Sequence, residues 1–111
     1  MGLGASQARL LMLTARKSDL ELQLQFVQQA RMQVANMVSA LFNRSASLEP
    51  GSRDAEQLQA AISSIQERDK VLEMQSRRID TQHQAVQTEL EAVSKVISKN
   101  IESTFKLNGM G

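Results

Sequence analysis

Between Asp54 and Leu107 an apolar position recurs every seven residues, at Leu58, Ile65, Leu72, Ile79, Val86 and Val93. A companion row lies three residues earlier each time: Ala55, Ile62, Asp69, Ser76, His83, Leu90 and Ile97. Rows at that spacing form the d and a positions of a coiled-coil seam. The stretch holds neither Pro nor Gly. It predicts one helix, roughly 80 Å long at 1.5 Å per residue.

A second heptad pattern occupies the first half of the chain. Its d row is Leu13, Leu20, Val27, Val34 and Leu41, and its a row is Leu10, Lys17, Leu24, Arg31 and Val38. Strong helix formers (Ala, Leu, Gln, Met and Arg) fill the positions between. Leu11, Met12, Leu22, Phe26, Met32, Met37 and Phe42 fall outside the seam, spread around the helix. A helix apolar on several faces is buried on several faces, and one partner helix cannot cover them all.

Between the two patterns runs Arg44-Ser-Ala-Ser-Leu-Glu-Pro-Gly-Ser52, with the only Pro of the chain and its only Gly away from the ends. Pro50-Gly51 predicts a turn, and Pro50 disfavours helical geometry at Glu49. Ser52 is placed to cap the second helix, with Asp54 and Glu56 in the first turn, where the helix dipole favours anions. Ser6 is the expected cap of the first helix, and Asn108-Gly109 the expected end of the second.

The predicted fold is therefore all-α. It is an antiparallel hairpin of two long helices, at about residues 6–46 and 52–108, packed in a helical oligomer or filament. Residues 1–5 are expected to be irregular, 45–52 to form the turn, and 1–111 to make a single domain. Folding back at the turn brings together residues whose numbers sum to about 100. That register sets Arg31 near Asp69, Lys17 near His83, Leu10 near Leu90 and Val38 near Ile62. The polar seam residues Lys17, Arg31, Asp69, Ser76 and His83 cost stability and fix register.

Composition narrows the function. A net charge of +1 and the absence of Trp and Tyr argue against nucleic acid as a partner, which calls for a basic stripe and aromatic platforms. No apolar run reaches 18 residues, so no membrane span is expected. There is no Cys, and His83 is the single His, which leaves nothing to build a metal cluster or a triad around. Met12, Met32, Met37 and Met74 read as gap-filling core. No phosphate loop or nucleophile elbow is present. The expectation is a protein that is not an enzyme and takes no cofactor, metal or small-molecule substrate.

In the last third of the second helix Val93, Val96, Ile97, Ile101, Phe105 and Leu107 form a broad apolar strip. A first helix starting at Ser6 covers the second only to about residue 94, so the strip beyond that point has nothing opposite it. Burying one Leu or Phe side chain contributes roughly 1.5–3 kcal/mol, and several uncovered ones drive association. The expected interface is Leu11, Met12, Leu22, Phe26, Met37, Phe42, Val96, Ile97, Ile101, Phe105 and Leu107, and the expected partner is further copies of the chain.

Ser6-Gln-Ala-Arg-Leu-Leu-Met-Leu-Thr-Ala-Arg16 and Val93-Ser-Lys-Val-Ile-Ser-Lys-Asn-Ile-Glu-Ser-Thr-Phe105 resemble, in pattern, the terminal helices of axial proteins exported by type III systems. These are needle subunits and the flagellar rod, hook and filament proteins. The resemblance implies a structural subunit that assembles into a helical filament or tube, with the C-terminal helix packed toward a lumen. Arg9 and Arg16 flank an apolar core of only Leu10–Leu13, which is no cleavable signal. An extracellular or cell-surface filament reached by a signal-less route is expected, with a cytoplasmic location as the alternative. The competing functional class is a soluble coiled-coil adaptor or export chaperone that closes as a dimer or small bundle.

Overall fold

The structure is a computed structural model, and residues 2–110 are described. Two helices make up the fold: α1, Leu3–Ser45, and α2, Arg53–Met110. With 43 and 58 residues they leave only Gly2 and the turn outside helix among the described residues, where no strand occurs. The expected antiparallel hairpin is the observed one.

Helix α1 ends where its serines take over its carbonyls. The Ser45 hydroxyl donates to the Phe42 carbonyl at 2.7 Å, and the Ser47 hydroxyl to that of Arg44 at 2.8 Å. Such local bonds satisfy acceptors that a helix end leaves open, and they compete with helical continuation. The chain then reverses through Glu49–Ser52, where the Ser52 amide donates to the Glu49 carbonyl at 3.2 Å. Gly51 has φ of 79°. Pro at the second position and a left-handed Gly at the third are the residues of a type II turn. Ser52 caps α2 as expected, its hydroxyl accepting the Ala55 amide at 3.1 Å.

Three boundary expectations fail. Helix α1 starts at Leu3, so residues 3–5 are helical and not irregular (Met1 lies outside the described residues). Ser6 is no cap: it sits one heptad before Leu13, on the d row, and is wholly buried. Asn108 and Gly109 lie inside α2, which runs to Met110. The turn is correspondingly narrower, at residues 46–52.

The hairpin divides into two compact units, each containing part of α1 and part of α2. The turn unit is Gln23–Ile79, and the terminal unit joins Met1–Leu22 to Asp80–Gly111. In the terminal unit Ser6, Leu13, Leu20, Val86 and Val93 are buried, with Leu20 only 3% exposed. In the turn unit only Ile62, Ser76 and Ile79 are buried; Leu24, Val27, Val34, Val38, Leu41, Leu58, Ile65 and Leu72 are half-buried. Every a and d position from Leu3 to Leu48 and from Ala55 to Asn100 is buried or half-buried, so the heptad rows are the seam.

Candidate functional site

The polar seam comes together largely at the expected register. In the turn unit Arg31 Nε donates to Asp69 Oδ1 at 3.0 Å, and Arg31 Nη2 to Asp69 Oδ2 at 3.2 Å. This two-pronged bond holds the Asp69 carboxyl below its usual pKa and raises that of Arg31 further, against the opposing effect of partial desolvation. One heptad along α2, buried Ser76 accepts a long hydrogen bond of 3.5 Å from Gln28 Nε2.

In the terminal unit Lys17 and His83 meet through a third residue. Glu21 Oε1 lies 3.0 Å from His83 Nε2 and 4.0 Å from Lys17 Nζ. Sequence reading missed Glu21 because it stands at a flanking e position, where a carboxylate one turn from Lys17 is an ordinary helix-surface pair. Arg9 Nη2 bonds Glu89 Oε2 at 2.9 Å across the same unit. The only unpartnered buried hydroxyl among the described side chains is that of Ser6.

The candidate interface residues are almost all at the surface. Leu11, Met12, Leu22, Phe26, Met37, Phe42, Val96, Ile101, Phe105 and Leu107 are exposed, Leu11 at 73% and Phe105 at 78%. Ile97 is the exception. Because α1 begins one turn earlier than expected, its cover extends to Ile97 and Asn100, both half-buried. From Ile101 to Gly109 every residue is exposed.

The methionines correct a second expectation. Met12, Met32, Met37 and Met74 are exposed and fill no gap in the hairpin core. Val71 and Met74 form a further exposed pair at i and i+3 on α2 that the sequence reading did not include. Their off-seam positions were the available signal.

On α1 part of the exposed apolar surface lines up along the helix, while Met12, Met32 and Phe42 stand on other faces. Leu11, Ala15 and Leu22 in the terminal unit, and Phe26, half-buried Ala30 and Met37 in the turn unit, each follow an i, i+4, i+11 spacing. That spacing keeps side chains within about 40° of one another around a helix of 3.6 residues per turn. Beside Arg31 and Asp69 an open groove of about 590 Å³ is lined by Met32, Val34, Ala35 and Val38.

Among the described residues no helix is long and apolar enough to cross a membrane, and no group of three His, Cys, Asp or Glu side chains could hold a metal ion. Comparison with protein families, with characterised proteins and with solved structures finds no match.

Proposed function

We propose that this chain is a structural subunit that assembles with copies of itself through the exposed apolar residues of α1 and the last turns of α2. The observation that carries the reading is the number of large apolar side chains left at the surface of a folded hairpin. Thirteen of them, from Leu11 to Leu107, remain outside the seam. At roughly 1.5–3 kcal/mol for each side chain fully buried, even partial coverage supplies a strong drive to associate.

The distribution of these residues favours an open assembly over a closed one. A closed dimer buries one patch of each copy against the same patch of the other. Here apolar residues stand on several faces of α1, at Val71 and Met74 on α2, and again beyond Asn100. Separate patches permit two or more neighbours for each copy, which a filament requires. The resemblance of both terminal helices to type III axial proteins supports the same reading and extends it to an exported filament.

Electron microscopy of the purified protein tests the proposal. Filaments are expected, and Phe26→Ser should abolish them without changing helical content by circular dichroism. Discrete particles of uniform small size would instead favour the closed adaptor bundle.

A further inference from the structure

Every methionine whose side chain is described stands outside the seam. Met12, Met32 and Met37 occupy c, b and g positions of α1, and Met74 an f position of α2. Their exposure runs from 50% at Met37 to 73% at Met12, so small solutes reach each sulfur. The buried apolar residues are Leu13, Leu20, Ile62, Ile79, Val86 and Val93, all aliphatic and inert to mild oxidants. Because the chain has no Cys, oxidation at sulfur falls to methionine alone.

Each of these sulfurs has apolar company at the surface. Met12 follows exposed Leu11, and Met74 stands one turn from exposed Val71. Met32 lines the groove with Val34, Ala35 and Val38. Met37 lies on the same line along α1 as exposed Phe26.

We propose that Met12, Met32, Met37 and Met74 are oxidation sites through which a peroxide weakens association while leaving the hairpin folded. The effect on association rests on the assembly reading; the chemistry at sulfur does not. A sulfur lone pair attacks one peroxide oxygen, an S–O bond forms and the O–O bond breaks. The other oxygen leaves as water with both peroxide protons, so the thioether is oxidised by two electrons and the peroxide reduced. The sulfoxide sets a strong hydrogen-bond acceptor in an apolar surface, and burying it without a donor is unfavourable. No such acceptor falls on the a and d rows, so the seam keeps its aliphatic side chains. Leucine at these positions would supply similar apolar area without the switch.

The test treats the dilute full chain with hydrogen peroxide and follows it by peptide mapping, urea unfolding and sedimentation. Oxidation is expected at all of these sites in the folded chain, with helical content and the urea midpoint unchanged. Association should weaken about tenfold or more through lost apolar burial. Methionine sulfoxide reductases for both epimers should restore it. Met12→Leu, Met32→Leu, Met37→Leu and Met74→Leu combined should associate as the parent does, before and after peroxide. That variant retains Met1 and Met110 and so reports on oxidation there.

Resistance of these sulfurs to peroxide in the folded chain, or a fall in the urea midpoint on their oxidation, overturns the proposal. So does a combined leucine variant that loses association in peroxide as the parent does. Undiminished association of the oxidised parent overturns it as well, and leaves the assembly reading standing. A parent that never associates removes the assembly reading and the switch together, whatever the sulfurs do.

Discussion

Arg31 on α1 and Asp69 on α2 face each other as a two-pronged ion pair, 38 residues apart in sequence and 3.0 Å apart at their closest atoms. Both occupy a positions of their heptads, where an apolar residue would pack more simply. About a third of each side chain remains accessible, so the pair sits at the edge of the seam and keeps some solvent. Its geometry, more than its energy, is what the hairpin uses: planar guanidinium against planar carboxylate admits one register and penalises a slip by one helical turn.

That pair gives stability a pH dependence of known sign. The Asp69 pKa is lowered in the folded chain. Its contribution is therefore complete above the unfolded value of about 4 and is lost as pH falls through the lower folded value. Urea unfolding of the dilute protein between pH 6 and pH 2 should show a loss of stability in the acid range that is smaller in Asp69→Asn. The charge-swapped pair Arg31→Asp with Asp69→Arg should recover more stability than either single change, and additive effects of the two would show that the pair does not couple.

Among the described glycines Gly51 is the one whose conformation demands glycine. At φ of 79° a Cβ costs roughly 1–2 kcal/mol, although the surrounding space is open. Gly51→Ala should lower stability by about that amount in thermal unfolding, and Gly109→Ala, within α2, should not.

Ser6 should respond in the opposite direction. It is wholly buried on the d row, and its hydroxyl has no partner among the described residues. Leaving such a group unsatisfied costs about 1–3 kcal/mol, so Ser6→Ala should stabilise the hairpin, with denaturant midpoints as the measurement. A cap at this position would instead make the same change destabilising by about 1 kcal/mol.

Two leucines of α1, one in the seam and one outside it, separate folding from association. Leu20 is 3% exposed and Leu11 is 73% exposed. Leu20→Ala should cost about 2–5 kcal/mol by denaturant unfolding. Leu11→Ala should leave the unfolding of the dilute chain within about 0.5 kcal/mol of the parent while reducing association in sedimentation.

Much of this was legible in the heptad rows, for a plain reason. A period of seven on a 3.6-residue helix places side chains on one line whatever else the chain does, so the seam and the Arg31–Asp69 pairing followed from counting. Ser6 did not, because a serine near a helix start satisfies the rule for a cap as well as the rule for a seam residue. Only the earlier start of α1 at Leu3 decides between them. Met74 was assigned to the core by residue type, against its position, and position won. Glu21 was missed because heptad counting ranks seam residues and ignores flanking ones, although flanking side chains are long enough to reach in.

The uneven seam sets where the chain resists opening. Bringing chain segments together is least costly in entropy next to the turn, where the intervening loop is short, and grows with separation out to Arg9 and Glu89, which are 80 residues apart. Closure is thus expected to begin in the turn unit, whose seam residues are mostly only half-buried. The best-buried side chains, Leu13, Leu20, Val86 and Val93, lie in the terminal unit, among contacts that form late. Interactions made after the folding barrier slow unfolding more than they speed folding. The hairpin therefore closes next to its turn, where the seam is loosely packed, and opening of the terminal unit has to separate the side chains Leu13, Leu20, Val86 and Val93 that are buried there.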